Sequence, residues 1–281
     1  MPFFKEDNIL FIHIPKTGGT SVEKYFAKRN KLKLGINQIY FSYYPQTIEE
    51  EIIKIRKSMK RHLVIKPSTV KPTVYNINKF NNIKIENRED KPELKIIQKM
   101  RLAKDLGHSL QHLTWIEMCN NKDILWDTEH EKMITSHNPY DRNEYDIITI
   151  VRNPYDRIIS ELLFRQIITN QTIRNKEFVN RKIRDFLNND HTYDNHKTPQ
   201  YLFFIDERDR LIENLTILKT ETLTQDMIRI GYCNFDNHLQ TSKCNIMKGL
   251  TKYSNSLNVE SIKLINEYYK KDFEMFGYIM L

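Results

Sequence analysis

Residues 9–26 read ILFIHIPKTGGTSVEKYF, and the interpretation of the whole chain starts from this stretch. Its first six residues are nearly all apolar, and most are β-branched or aromatic, which is typical of a parallel strand covered on both faces. Pro15 ends the strand pattern, and Gly18 and Gly19 permit a tight turn. Helical spacing resumes after the glycines, with Thr20 or Ser21 as the predicted cap. The stretch therefore predicts a strand, a glycine turn and a helix.

The turn in this stretch is a predicted anion site. A helix that begins after a glycine turn presents unpaired N–H groups and the positive end of its dipole to one small volume. In a nucleoside-triphosphate loop the lysine follows the second glycine, whereas Lys16 precedes the glycine pair here. This order argues against an ordinary ATP or GTP loop. A turn that merely joins a strand to a helix would not call for Lys16 beside three hydroxyl residues.

Residues 146–163, DIITIVRNPYDRIISELL, predict a second unit of the same kind. A buried strand is followed by Asn153 and Pro154, the usual cap and first-turn residue of a helix. Arg152 is thus expected at the carboxyl end of a strand, the edge where open parallel sheets bind ligands. Ser160 lies further along the helix, where its hydroxyl is predicted to face the same anion.

Arg157 has a simpler interpretation in the same stretch. It precedes Glu161 by one helical turn, and such pairs are usually exposed and contribute little to stability. We therefore expect a solvated ion pair here.

The segments PKTGGTS at 15–21 and VRNPYDRIIS at 151–160 resemble the paired motifs of sulfotransferases that use 3′-phosphoadenosine 5′-phosphosulfate. The similarity is greatest to the carbohydrate branch, related to the heparan-sulfate 2-O- and 6-O-sulfotransferases and their bacterial relatives. The resemblance implies that the first motif cradles the 5′-phosphosulfate and that the second holds the 3′-phosphate. The residues so implied are Lys16, Thr17, Gly18, Gly19, Thr20 and Ser21, followed by Arg152 and Ser160.

The resemblance also implies a histidine as catalytic base, and histidine has a suitable unperturbed pKa for removing a hydroxyl proton. His112, in HSLQHLTWIEM, matches the family pattern of a histidine followed by an aromatic, an acidic and an apolar residue. His137, in MITSHNPYD, is a second candidate because it follows a predicted strand. His13 lies within the first strand and is expected to be a core histidine with satisfied hydrogen bonds. Lys16 is the further catalytic candidate, by neutralising charge on the leaving group.

The expected architecture is a P-loop-like, three-layer α/β fold with a central parallel sheet and helices on both faces. At 281 residues, the chain is predicted to form a single domain with a polar insertion at about 41–104. This insertion is either an acceptor-binding flap or a solvated elaboration of the surface. Residues 166–193 are interpreted as a packing helix without a role in the site.

The composition limits the partners and the compartment. The net charge of +8 favours anionic ligands, which fits the phosphosulfate donor and an acidic polysaccharide acceptor. Nucleic acid is disfavoured because no recognition motif accompanies the charge. The three irregularly spaced cysteines argue against a disulfide framework or a zinc site, and the residues identified require no metal. With neither a signal peptide nor a membrane-length apolar run, the chain is expected in the cytoplasm.

These observations predict transfer of a sulfuryl group from 3′-phosphoadenosine 5′-phosphosulfate to a carbohydrate hydroxyl. Two alternatives belong to other classes. One is a P-loop kinase or NTPase, and the other is a catalytically silent protein that binds an anionic glycan. The acceptor and the oligomeric state are not specified by any pattern in the chain.

Overall fold

The computed structural model describes residues 3–34, 43–45, 102, 105–107, 109–121, 125, 145–235 and 256–281. Their strands are β1 Phe3–Phe4, β2 Ile9–Ile12, β3 Leu32–Leu34, β4 Tyr43–Pro45, β5 Asp146–Val151 and β6 Leu215–Lys219. The α-helices are α1 Gly19–Arg29, α2 Trp115–Asn120, α3 Pro154–Phe164, α4 Lys176–Leu187, α5 Leu223–Arg229, α6 Val259–Tyr268 and α7 Lys270–Phe276. Most of the polar insertion predicted at about 41–104 lies outside these ranges, as does His137.

The main sheet has the order β1-β2-β5-β6. Strands β2, β5 and β6 are parallel, with Ile9 opposite Asp146 and Ile147 opposite Leu215. The prediction of a parallel sheet is thus correct for three strands, whereas β1 pairs antiparallel with β2. A two-residue edge strand is too short to carry a detectable sequence pattern. Strands β3 and β4 form a separate antiparallel pair.

Both faces of the sheet are covered, as the continuous apolar strands predicted. Alternate residues of β2 point to opposite faces, so Phe11 packs with Val22 and Phe26 of α1, while Leu10 packs with Trp115 of α2. A third cluster holds α3 against α4, α6 and α7. Among the described residues, no helix is long and apolar enough to cross a membrane.

The predicted packing helix at 166–193 is shorter than expected. Only α4, Lys176–Leu187, is α-helical in that interval, and its buried face includes Ile183 and Phe186. Beyond α4 the chain turns through Tyr193, Asp194 and Asn195, which all have positive φ. The residues just beyond the interval, Asp194, Asn195 and His196, therefore contribute to the site described next.

Candidate active site

The glycine turn after β2 has the conformation expected of an anion-binding loop. Gly18 is the N-cap of α1 and has φ 91°. This left-handed conformation is unfavourable for a residue with a Cβ atom. The predicted cap by Thr20 or Ser21 is wrong, because the helix begins at Gly19 and no side chain in the described part of the chain caps it. The Ser21 N–H donates to the Gly18 carbonyl at 3.0 Å, so the first turn of α1 is closed by backbone alone.

Gly19 is required by packing rather than by its φ angle. A Cβ atom on Gly19 would lie 3.0 Å from Cε1 of His13 and 3.1 Å from both ring nitrogens. His13 is itself held below the turn, with Nδ1 2.9 Å from Oε1 of Glu23 and 3.2 Å from Nε2 of Gln111. His13 is buried and bonded, as the sequence predicted for a core histidine, and its ring supports the loop from beneath.

The two motifs meet at the carboxyl edge of the sheet. The Arg152 guanidinium donates a hydrogen bond to the carbonyl of Lys16 at 3.3 Å. Thr220, just after β6, donates its hydroxyl to the carbonyl of Thr17 at 2.6 Å and also lies 3.1 Å from the carbonyl of Val151. The ends of all three parallel strands are thereby joined around the loop.

The backbone of Arg152 is held by a buried amide. Gln200 accepts from the Arg152 N–H at 2.8 Å and donates to the Arg152 carbonyl at 2.9 Å. Asp272 of α7 in turn accepts from the N–H groups of Gln200 and Tyr201, and burial raises the pKa of this carboxyl. Neither residue was identified from the sequence, because each lies far along the chain from the motif that it supports.

The helix after Arg152 begins as predicted, but the prediction for one pair of its side chains is wrong. Asn153 caps α3 by accepting from the Tyr155 N–H at 3.0 Å, and Pro154 is its first residue. The predicted exposed pair of Arg157 with Glu161 is wrong, because both side chains are buried. Arg157 instead donates to the carbonyls of Pro15, Thr198 and His196.

Lys16 and the end of α3 form the outer wall of the loop. Lys16 has φ 67°, and its Nζ lies 4.0 Å from the centroid of the Phe164 ring, within the range of a cation–π contact. Phe164 is 60 % exposed. Ser160, one turn earlier on the same helix, is buried. Thr17 is also buried, and its hydroxyl donates to the Ile14 carbonyl at 2.9 Å, whereas Thr20 is exposed.

His112 lies in a short 3₁₀ turn, Leu110–His112, and is buried. Its Nδ1 lies 3.0 Å from Oδ2 and 3.1 Å from the carbonyl of Asp194. Both oxygens are acceptors, so Nδ1 carries the proton and Nε2 retains a lone pair. Burial lowers the pKa of His112 to about 4, against the opposing effect of the Asp194 carboxylate. The neutral ring is therefore the form present near neutral pH.

Asp194 and its neighbours were not predicted from the sequence. Tyr193, Asp194 and Asn195 have φ values of 53°, 63° and 60°, which are uncommon for residues other than glycine. The amide of Asn195 donates to the His112 carbonyl at 2.9 Å. Burial alone would raise the pKa of Asp194, but the hydrogen bonds from His112 and Ser109 hold it below its ordinary value. Such a strained turn is maintained only where its surroundings determine it.

A second histidine lies beside the first. The rings of His112 and His196 have centroids 4.9 Å apart, and His196 stacks on Phe164 at 5.6 Å. Nδ1 of His196 lies 2.5 Å from Oε2 of Glu161. Burial alone would raise the pKa of Glu161, but His196 and Arg165 together hold it below its ordinary value. Aromatic contacts therefore connect His112 to Lys16 through His196 and Phe164.

The structure thus brings most of the sequence-predicted residues to one edge of the sheet. His112 reaches the loop on one side through His13, with ring centroids 5.3 Å apart, and on the other through His196. His137 lies outside the described residues. The supporting residues that sequence reasoning missed are Gln111, Asp194, His196, Gln200, Thr220 and Asp272.

Comparison with known proteins agrees with the two motifs at the sheet edge. A search of curated proteins and a search of solved structures each returned no match. A family model described as the sulfotransferase family matches residues 2–279. Because this match covers nearly the whole chain and includes both motifs and His112, the chain belongs to the sulfotransferase family.

Proposed function

We propose that this sulfotransferase moves a sulfuryl group from 3′-phosphoadenosine 5′-phosphosulfate to a hydroxyl group of a carbohydrate, with His112 as the base. The observation that carries the proposal is the contact between the two motifs, in which the Arg152 guanidinium donates to the Lys16 carbonyl at 3.3 Å. A donor with phosphate at both its 5′ and 3′ positions requires two anion sites that lie side by side. We further propose that the whole chain is one P-loop-like domain.

The glycine turn is suited to the 5′-phosphosulfate. Gly18 makes the turn in its left-handed conformation, Gly19 lets the turn pack on the His13 ring, and the N-terminus of α1 favours negative charge. Thr20 and Ser21 occupy the first turn of α1. The buried Thr17 hydroxyl is already bonded to Ile14, so Thr17 supports the donor through the turn that it stabilises and through its backbone.

The second motif is suited to the 3′-phosphate. Arg152 is partly exposed, and the Gln200 amide bonds both the N–H and the carbonyl of Arg152. A guanidinium on a positioned backbone binds phosphate through paired hydrogen bonds. Ser160 would contribute its hydroxyl from α3. Together these two residues would select this donor over ATP, which has no 3′-phosphate.

The transfer step needs a proton acceptor and a group that neutralises the leaving oxygen. The acceptor oxygen attacks sulfur, the bond from sulfur to the bridging phosphate oxygen breaks, and the hydroxyl proton passes to Nε2 of His112. Asp194 keeps the other ring proton on Nδ1 and stabilises the imidazolium that forms. The Lys16 ammonium neutralises charge on the bridging oxygen, so that positioning and electrostatics supply most of the rate enhancement.

The acceptor class rests on charge and on the family resemblance. The chain has a net charge of +8, and a positive field concentrates anionic ligands near the protein. An anionic polysaccharide would meet Lys16 and the exposed ring of Phe164 at the entrance to the loop. We therefore propose a hydroxyl of an acidic sugar chain as the acceptor.

Calorimetric titration with 3′-phosphoadenosine 5′-phosphate tests the donor class, with ATP and Mg²⁺ as the parallel titration. We expect binding of the bisphosphate alone, and Arg152→Ala should weaken it by about 10- to 100-fold because a charge-assisted hydrogen bond is worth roughly 1.5–3 kcal/mol. Arg174→Ala removes an exposed arginine and should leave the affinity unchanged. Binding of ATP with Mg²⁺ in preference to the bisphosphate would instead favour a kinase or NTPase.

Sulfate transfer to a panel of polysaccharides tests the reaction itself. His112→Gln should reduce turnover by about 10² to 10⁴ while leaving the affinity for the bisphosphate within about threefold of the wild type. Bisphosphate binding without transfer to any acidic polysaccharide would contradict the proposed acceptor and favour a silent glycan-binding protein.

A further inference from the structure

We propose that His112, Asp194 and His196 form a binding site for Zn²⁺, and that a bound ion switches off the catalytic base. Each side chain offers one ligand atom, and no two of these atoms are more than 4.8 Å apart. The residues come from two segments more than 80 positions apart, so no sequence spacing indicates the cluster. The binding half of the inference is independent of the proposed function, and the inhibitory half rests on it.

Nε2 of His196 faces Asp194. Nδ1 of His196 lies 2.5 Å from Oε2 of Glu161, and a carboxylate only accepts, so Nδ1 carries a proton and Nε2 is the ring nitrogen that can bind an ion. Nε2 of His196 then faces Oδ2 of Asp194 at 4.0 Å, which is too long for a hydrogen bond. A carboxylate oxygen and an imidazole nitrogen at this separation are suited to a shared cation. A histidine whose other ring nitrogen donates to a carboxylate is the usual form of a metal ligand.

The dimensions of the cluster suit a small ion. Oδ2 of Asp194 lies 3.0 Å from Nδ1 of His112 and 4.0 Å from Nε2 of His196, with 4.8 Å as the limit for the remaining pair. The point equidistant from the three atoms is then at most about 2.4 Å from each, against about 2.0–2.2 Å in zinc sites. A movement of a few tenths of an ångström would complete the coordination.

The ligand types favour zinc over the common hard cations. Two imidazole nitrogens and one carboxylate oxygen match the three-ligand zinc sites that keep a fourth position open, whereas Mg²⁺ and Ca²⁺ prefer oxygen ligands. The rings of His112 and His196 are buried, but the Asp194 side chain is 35 % exposed. The carboxylate therefore provides the route by which an ion enters.

Occupancy of this site would remove the base without a change of fold. Coordination through Nδ1 of His112 moves the single ring proton to Nε2. The nitrogen that would take the acceptor proton then has no lone pair. The ion and the catalytic tautomer thus compete for the same histidine, and inhibition should be relieved by a chelator.

Titration of chelator-treated, full-length protein with ZnCl₂ tests the site, with MgCl₂ as the parallel titration. We expect one Zn²⁺ per chain with a Kd in the micromolar range or tighter, and no binding of Mg²⁺ at these concentrations. His196→Gln should weaken Zn²⁺ binding by about 100-fold or more, since even the loss of a supporting residue costs 10- to 100-fold. His191→Gln is the matched control, because His191 is exposed in the same segment.

A measurement on the wild-type chain guards against a variant that fails to fold. Ring-nitrogen NMR shifts should change on Zn²⁺ addition at Nδ1 of His112 and Nε2 of His196, and not at His191. Equal Zn²⁺ affinity of the wild type and a folded His196→Gln, or unchanged shifts of both rings, would overturn the site.

Activity separates this inference from the proposed function. Where the chain transfers sulfate, Zn²⁺ should abolish turnover and EDTA should restore it, while the residual turnover of His196→Gln should not respond to Zn²⁺. Stoichiometric Zn²⁺ binding that leaves turnover unchanged would refute the inhibitory half. Zn²⁺ binding in a chain that binds no bisphosphate would refute the proposed function and leave the metal site intact.

Discussion

Replacing Arg157 by Met should destabilise the protein strongly, because its guanidinium is buried and bonded to the backbone of two segments. The side chain donates to the carbonyl of Pro15 at 3.1 Å, of Thr198 at 2.9 Å and of His196 at 3.0 Å. Arg157 is 2 % exposed. Met preserves much of the volume but supplies no donor, so three carbonyls lose the partner that holds the glycine turn against the 193–198 segment.

The size of the effect follows from the kind of bond that is lost. Hydrogen bonds to a charged group are worth about 1.5–3 kcal/mol each, but removing the cation also removes the cost of burying it. We therefore expect the free energy of unfolding to fall by about 3–5 kcal/mol, since each of the three carbonyls left without a donor costs about 1–3 kcal/mol and removal of the buried cation offsets part of this. The exposed ion pair predicted from the sequence would be worth only about 0.3–0.5 kcal/mol.

Urea unfolding followed by the fluorescence of the two tryptophans, of which Trp115 is buried, measures this difference. Arg184→Met is the matched control, because Arg184 is 42 % exposed and pairs with a Glu260 side chain that is 62 % exposed. We expect the control to change stability by about 1 kcal/mol at most. A loss below about 1 kcal/mol for Arg157→Met, at equal unfolding slopes, would refute the conclusion that these three bonds hold the two segments together.

Two further predictions concern the histidines of the site. Gly19→Ala should lower the free energy of unfolding by about 1–3 kcal/mol through overpacking, since its Cβ would lie 3.0 Å from the His13 ring. Thermal unfolding measures this loss. The same loss in a His13→Ala background would contradict the assigned clash. The free energy of unfolding should fall as the pH is lowered from about 6.5 to about 4. In this range the unfolded chain protonates His112, while burial keeps the pKa of the folded ring at about 4. The slope from this group is at most about 1.4 kcal/mol per pH unit, and it should be smaller in His112→Gln than in His191→Gln; identical slopes in the two variants would rule out this assignment.

The local elements of the fold were predictable because their causes are local. Apolar β-branched runs predicted β2 and β5, and the pair Asn153–Pro154 predicted the start of α3. The prediction of a side-chain cap on α1 failed, because the left-handed Gly18 makes the turn by itself. Edge strand β1 was missed because two residues cannot show a period of two.

The candidate site was predictable only where a motif is contiguous. The positions of Lys16 and Arg152 follow from their place after predicted strands, and their roles remain a proposal. The partner of His112 could not be found in this way, because Asp194 is 82 positions away and reaches the ring through a turn of positive φ angles. The interval interpreted as packing, 166–193, ends one residue before Asp194, so that interpretation did not extend to the turn that reaches His112.

The sequence by itself determined the strand, turn and helix at each motif and the family of the chain, because these depend on neighbouring residues whose chemistry acts over a few positions. The tertiary structure decided which polar groups are buried and what they bond to. Arg157 illustrates the difference: its spacing from Glu161 is that of a surface pair, yet the packing of α3 buries it against Pro15 and His196. Burial removes water as a partner, so the geometry of distant segments rather than local spacing determines its bonds.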